Sequence, residues 1–238
     1  MKKVGIALVI LASQAHSDIW EDRAKEHLKS QGFNPDRGVV IVPSSEIKAP
    51  KKLKSQWLVQ QKKQAQNGYN NEAAPRATEL LEMHNTIAYK YKASASNSNP
   101  ASSLLRRSIH EIKMAYTFMP VPKTQIKTLL GFAASGGYQD GWNGIVEFFD
   151  TKSESCAYTE NNLKLSHGTE KIDENIVRYD VNGKVTTVNV QGTKESGFLY
   201  TVHWIDDHFS RDLECASKQF SKDTTMNVLA LASRIDAQ

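Results

Sequence analysis

Apolar and polar positions along the chain change their period near residue 144. Before this point apolar side chains recur at intervals of three or four residues, which is the period of a helix. After it they alternate, so that Ile145, Glu147 and Phe149 share one face of a predicted strand. The pattern predicts an α+β protein in which a helical N-terminal region is followed by an antiparallel β-meander sheet.

Four segments of the N-terminal half carry the helical period. Gly32 and Gly68 follow two of them as stop signals, and Pro120 closes the last. A Val-Val-Ile-Val run between Pro35 and Pro43 is predicted to be extended instead. The predicted helices cover residues 18–31, 51–66, 75–92 and 104–116.

Turn signals between alternating runs predict the strands of the sheet. Asn182-Gly183 separates two β-branched runs and is the strongest short-range hairpin signal in the chain. Asp206-Asp207 separates a second pair of such runs within residues 198–216. These signals favour hairpins over crossover connections, and therefore antiparallel pairing.

A terminal helix and a glycine-rich loop complete the predicted sheet domain. The helix runs from Thr224 to about Ile235, is capped by Asp223, and is expected to pack on one face of the sheet. Residues 131–144 are rich in glycine and are predicted to form a loop. The preceding residues 124–130 fit a helix or a strand equally well.

The N-terminus has the layout of a secretory signal. Lys2 and Lys3 precede the nine-residue apolar run Val4–Ala12, and small polar residues follow it up to position 17. A membrane-spanning helix needs about 20 apolar residues, so this run is too short to be one. We expect export to the periplasm or the cell exterior, removal of the signal peptide, and no transmembrane segment in the mature chain.

Composition suggests how the rest of the chain is divided. Residues 93–103 consist only of Ala, Ser, Asn and Pro, so they cannot build a core and are expected to form a flexible linker. The predicted organisation is a signal peptide at 1–17, a helical region with this linker at 18–122, and a sheet domain with its C-terminal helix at 123–238.

The chain has two cysteines, Cys156 and Cys215. An exported chain with an even number of cysteines most simply pairs them. We therefore expect a disulfide that ties the first and last parts of the sheet together. A nucleophilic cysteine would require a free thiolate, which such a pairing removes.

Charge is distributed unevenly between the two halves. Residues 18–140 contain 18 basic and 11 acidic side chains, a net +7, whereas residues 141–238 contain 10 and 15, a net −5. Because a nucleic-acid-binding protein normally concentrates more positive charge, no nucleic-acid partner is expected. The most basic stretch is interpreted as a solvated helix face, with contact to acidic polymers or lipid headgroups as the alternative. Its lysines, interleaved with Trp57, are Lys48, Lys51, Lys52, Lys54, Lys62 and Lys63.

The densest group of potential metal ligands is His203, Asp206, Asp207 and His208. A turn between two strands can bring two imidazoles near a carboxylate, as a metal site requires. The alternative is ordinary turn chemistry, for which an Asp-Asp pair is typical. This group is the basis of one alternative function, a metal-dependent hydrolase.

Three aromatic residues, Phe132, Tyr138 and Trp142, lie on the glycine-rich segment. Exposed aromatics on such a segment are typical of surfaces that bind a protein or a glycan. The alternative is that they fold back over the sheet as a lid. These residues support a second alternative function, a glycan-binding module.

No catalytic motif is complete in this sequence. His110 and Glu111 begin a helical zinc motif, but Met114 stands where the second histidine is required. A nucleophile elbow and a phosphate-binding loop are both absent. We therefore expect a non-enzymatic exported protein without a cofactor, whose partner is another envelope or secreted protein.

Overall fold

The computed structural model describes residues 38–47, 50–83, 105–166, 168–177 and 179–238. The predicted signal peptide, the predicted helix at 18–31 and the predicted linker at 93–103 lie outside these residues. The helices are α1 (Lys51–Asn67), α2 (Pro75–Leu81), α3 (Leu163–Ser166) and α4 (Lys222–Asp236). The strands are β1 (Gly38–Val42), β2 (Thr128–Tyr138), β3 (Trp142–Asp150), β4 (Ser155–Asn162), β5 (Thr169–Asp173), β6 (Tyr179–Val181), β7 (Lys184–Thr193), β8 (Gly197–Ile205) and β9 (Phe209–Ser217).

An antiparallel sheet of seven strands is the centre of the described structure, as the alternation predicted. Its strand order is β2-β3-β4-β9-β8-β7-β6, so two meanders meet where β4 pairs with β9. Cys156 lies directly opposite Cys215 at that junction, and the two form the predicted disulfide. The predicted extended run is β1, which pairs in parallel with β5 outside the main sheet.

Helix α4 covers one face of the sheet through a stripe of apolar side chains. Val228, Leu231 and Ile235 recur at intervals of three and four residues and are fully buried. Burying such side chains contributes about 1.5–3 kcal/mol each. The helix begins two residues earlier than predicted, because the Ser221 hydroxyl accepts the Asp223 N–H and Ser221, rather than Asp223, acts as the N-cap.

The opposite face of the sheet is partly covered by α2. Pro75 occupies the first turn of this helix, as predicted. The side chains of Ala77 and Leu80, on the side of the helix that faces the sheet, are buried. They pack against Ala157 and Leu199 of the sheet. Among the helices of the described residues, none combines the length and apolar character that a membrane crossing requires.

The predicted helix at 104–116 does not form in its described part. Only a single 3-10 turn, Ile109–Glu111, is present, and Ser108 and Glu111 cap it reciprocally. On either side the backbone instead pairs with the sheet, through Arg106 with Phe132 and Ala115 with Trp142. Pairing with these strands therefore outweighs the local helical period.

The prediction that residues 131–144 form a loop is also wrong. Gly131 to Tyr138 belong to β2, β3 begins at Trp142, and only residues 139–141 form the turn between them. Glycine and alanine have little strand propensity of their own, so the strand is specified by its partner β3 rather than by its own side chains.

Candidate functional site

Strand β2 forms one edge of the seven-stranded sheet. It pairs with β3 along its length, with irregularities at Leu129/Gly131 and at Ser135/Tyr138. Gly136 adopts a left-handed conformation (φ 72°) at the second irregularity, where Asn143 Oδ1 accepts the Gly137 N–H at 2.7 Å. A Cβ on Gly136 would lie 2.0 Å from that oxygen, so this bulge requires glycine.

The outward side of β2 is only partly covered. Phe132 exchanges two backbone hydrogen bonds with Arg106, at 2.7 and 2.6 Å, so the main-chain groups of Phe132 point away from β3. Strand alternation directs those of Ala134 outward as well. Within the described residues they have no backbone partner. We call the outward side of β2 from Ala134 to Tyr138 the open edge.

The open edge also lacks the features that usually protect a strand edge. Natural edge strands carry charged side chains or proline, or are very short, because exposed N–H and C=O groups pair readily with another chain. Strand β2 has 11 residues, none of which is charged and none of which is proline. Its bulges are the one protective feature present.

Two of the three aromatic residues singled out from the sequence meet at the end of the open edge. Tyr138 is 55% exposed and contacts Trp142 edge to face, with ring centroids 5.4 Å apart. The Trp142 backbone is fixed from behind by Lys113 O and Ala115 N, at 2.8 and 3.0 Å. Gly141 permits this approach, because a Cβ there would lie 2.5 Å from Ala115 N.

The third aromatic, Phe132, lies elsewhere. Its side chain is buried in the core and meets Phe118 edge to face at 6.5 Å. The structure thus brings Tyr138 and Trp142 together as an aromatic pair beside the open edge and places Phe132 in the packing beneath it. Trp142 is half-buried and packs against the core, whereas Tyr138 is exposed.

His203 takes part in a clamp between the main sheet and β5. Its Nδ1 lies 2.8 Å from Asp212 Oδ1 on the neighbouring strand. Its Nε2 lies 3.1 Å from Glu170 Oε2 on β5, at ion-pair distance but short of hydrogen-bond alignment. Burial alone would lower the pKa of His203, but the two carboxylates outweigh it and raise that pKa to about 10. The ring is therefore a buried cation that links two elements.

The other three residues of that group serve the turn between β8 and β9. Asp206 Oδ1 accepts the N–H groups of His208 and Phe209, each at 2.8 Å, while its Oδ2 accepts from Arg211 at 2.9 Å. The side chains of Asp207 and His208 are exposed. Among the described residues, no group of three or more His, Cys, Asp or Glu side chains is arranged to hold a metal ion.

A buried polar network on the helix-covered face was not predicted. Glu160 Oε2 accepts from Arg211 and from the Tyr158 hydroxyl at 2.9 and 3.0 Å. Glu147 Oε2 accepts the Val121 N–H at 2.8 Å. Burial raises the pKa of both carboxyls, that of Glu147 to about 7.

This network holds the extended segment 115–121 against the sheet. One signal was available in the sequence, because Glu147 alternates in phase with Ile145 and Phe149 and therefore had to lie on the apolar face. A buried carboxyl in that position needs a donor, and the segment supplies one. The network is enclosed, and we assign it to packing.

In comparisons with protein-family models, curated proteins and solved structures, nothing matched this chain.

Proposed function

We propose that this chain is an exported, non-enzymatic binding protein that holds an extended segment of an envelope or secreted protein on the open edge of β2. The segment adds a strand to the sheet by pairing with Ala134, and the aromatic pair Tyr138–Trp142 receives one of its side chains. In β-strand addition of this kind, main-chain hydrogen bonds provide affinity and a neighbouring pocket or ring provides selectivity.

The observation that carries the proposal is a strand edge that only its bulges protect. The main-chain groups of Ala134 have no backbone partner among the described residues, in a strand with no charge and no proline. Such an edge pairs with other chains unless something prevents it. Its position beside an exposed tyrosine is most simply explained by a partner that contacts both.

The geometry of the aromatic pair favours a protein ligand over a glycan. A sugar ring stacks best on a flat aromatic face, whereas Tyr138 and Trp142 meet at 71° and present a corner. A corner of this kind suits one side chain of a peptide, because aromatic and aliphatic groups pack readily into edge-to-face arrangements.

Export is supported by the buried cystine and by the predicted signal peptide. Disulfides persist in the periplasm and outside the cell, but are rare in the reducing cytosol. Intact-mass measurement of material recovered from cells tests this part of the proposal. The expected mass lacks the first 15 or 17 residues and two further hydrogen atoms, and a full-length chain with two free thiols would contradict it.

Site-specific photo-crosslinking in living cells tests the binding site. We expect the variant Tyr138→p-benzoylphenylalanine, which keeps an aromatic ring at the site, to form one discrete adduct under ultraviolet light. The same substitution at Met226, a residue of similar exposure on α4, serves as the matched control and is expected to form none.

A second substitution connects the adduct to strand pairing. Ala134→Pro removes the outward N–H from the open edge and is expected to abolish the adduct at position 138. Adducts of equal yield at positions 138 and 226 would contradict the proposal. An adduct at 138 that persists with Ala134→Pro would show that pairing to β2 is not involved.

A further inference from the structure

The outward side of α1 carries an apolar pair between two pairs of lysines. Residues 51, 58 and 62 are spaced seven and four apart, as are 52, 59 and 63, so each set follows one line along the helix. All six side chains are exposed. We call this set the α1 patch: Lys51, Lys52, Leu58, Val59, Lys62 and Lys63.

The opposite side of α1 holds the helix on the protein. Gln64 is fully buried there, and its Oε1 accepts from Asn70 Nδ2 at 2.6 Å. The helix ends at Gly68 in a left-handed conformation (φ 81°), where a Cβ would lie 2.7 Å from the Phe220 ring. Because the helix is anchored by this side and end, the α1 patch is fixed facing outward.

The apolar pair is unusually exposed for its residue types. Leu58 is 61% and Val59 is 53% exposed, although each lies in the middle of a helix that is otherwise polar on this side. One exposed leucine needs no explanation, but an adjacent pair framed by charges of a single sign indicates a surface that is covered in use.

The lysines of the α1 patch indicate which class of ligand covers it. Helix α1 has five lysines and no acidic residue, and within the described residues no lysine of the α1 patch forms an ion pair. Lysine is depleted from protein–protein interfaces, where arginine and aromatic residues dominate. Lysines beside exposed aliphatic residues are instead typical of helices that rest on anionic membrane surfaces, where the long lysine stems lie along the apolar layer.

We propose that the α1 patch binds the surface of a bilayer that contains anionic phospholipids. The four lysine ammonium groups contact lipid phosphates, and Leu58 and Val59 insert between the headgroups. This surface is separate in sequence from the open edge of β2, and the inference does not depend on the protein-binding function. It places the protein at a membrane face through surface contact by α1.

Vesicle flotation of the chain recovered from cells tests the inference. Vesicles of equal parts phosphatidylglycerol and phosphatidylcholine are compared with vesicles of phosphatidylcholine alone. We expect binding to the anionic vesicles only, with a partition coefficient that falls by about fivefold for each lysine removed. Lys51→Gln with Lys52→Gln is therefore expected to weaken binding by about 25-fold.

Matched controls separate a defined patch from general attraction. Lys218→Gln with Lys222→Gln removes the same charge from an exposed region near α4 and is expected to leave binding unchanged. Leu58→Ser with Val59→Ser is expected to weaken binding by at least tenfold. Met226→Ser, at an exposed apolar residue on α4, is expected to leave binding unchanged. Near-ultraviolet circular dichroism confirms that each variant keeps its fold.

Three results would overturn the inference. Equal losses from the two lysine pairs would mean that total charge, and not the α1 patch, drives binding. Unchanged binding of the Leu58→Ser, Val59→Ser variant would mean that nothing inserts. Complete displacement by an equal charge concentration of dextran sulfate would show a preference for soluble polyanions over a lipid surface.

Discussion

The two edges of the seven-stranded sheet are covered to different extents, although a separate segment pairs with each of them, through Asn70 at one edge and Arg106 at the other. At one edge β6 has only three residues, and the backbone of Asn70 pairs with Val190 and Gly192 of β7 where β6 no longer reaches. We call this the covered edge. At the other, β2 continues for 11 residues without a charge, and the open edge has no backbone partner among the described residues.

The covered edge is also fixed by charge. The Asp236 carboxylate, at the end of α4, is buried and accepts from Lys184 at 2.5 Å and from Trp204 Nε1 at 3.1 Å. At the covered edge, backbone pairing by Asn70 and a buried ion pair close the side of the sheet. The open edge, which only a bulge protects, is better explained by a binding role than by chance.

The largest expected effect lies between the two edges, at the disulfide. Cys156→Ala with Cys215→Ala is expected to lower the free energy of unfolding by about 4 kcal/mol on the loop-entropy model, because 59 positions separate the two residues. Urea titration of the variant measures this loss. A loss below about 1 kcal/mol would mean that the two meanders hold together without the covalent link.

The next largest effect is expected at the covered edge. Asp236→Ala leaves Lys184 and the Trp204 N–H without their buried acceptor and is expected to cost about 3 kcal/mol in urea titration. Asp223→Ala in the exposed first turn of the same helix is the control, with an expected loss of at most about 1 kcal/mol. Similar losses from both would show that the contact at the covered edge contributes little.

A rise in pH is expected to destabilise the two halves of the sheet in different ranges. Glu147 belongs to β3, in the half of the sheet formed by β2, β3 and β4. Its pKa rises on folding from 4.5 to about 7. The folded protein therefore holds the proton more tightly, so stability is fully present below pH 4.5 and declines up to pH 7. The decline is expected to be on the order of 3 kcal/mol, and Glu147→Gln should remove it from urea midpoints measured across this range.

His203, on β8 in the half formed by β6 to β9, is expected to cause a loss of stability at higher pH. Its pKa rises on folding from 6.5 to about 10, so its contribution is complete below pH 6.5 and is lost as the pH approaches 10. His203→Gln should flatten the decline in urea midpoints in this upper range and leave the Glu147 range unchanged. An unaltered slope in the variant would show that the ring is not the cation described above.

The strands β6 to β9, which form the half of the sheet that ends in the covered edge, were largely predictable from the sequence. Asn182 and Gly183 both have positive φ, 50° and 82°, as the hairpin signal required, and the alternating runs beyond them became β7, β8 and β9. Local signals succeed there because each turn residue has a conformational reason for its place. The disulfide followed from the cysteine count and the expected compartment.

In the other half of the sheet, formed by β2, β3 and β4, strand β2 was not predicted. Strand β2 consists largely of Gly, Ala and Ser between its apolar ends, and such residues specify no period. Tyr138 and Trp142 were recognisable as candidates by residue type. Their place beside an unpaired edge was not, because strand order is set by contacts between distant segments such as β4 and β9.

The smallest effect on stability is expected at the open edge. The Ala134 N–H has no partner to lose, so Ala134→Pro should change the free energy of unfolding by less than about 1 kcal/mol. Ala133→Pro is the matched control, because alternation places its N–H in the ladder with β3, and it should cost more, by about 1–3 kcal/mol. Equal costs would mean that the Ala134 N–H is already paired.

Amide hydrogen exchange at Ala134, followed by nuclear magnetic resonance, tests strand addition most directly. We predict fast exchange in the free protein and strong protection once the segment that crosslinks at position 138 is bound. The amides of Ala133 and Ser135 are predicted to be protected in both states. Protection of Ala134 in the free protein, or no change on binding, would contradict the account.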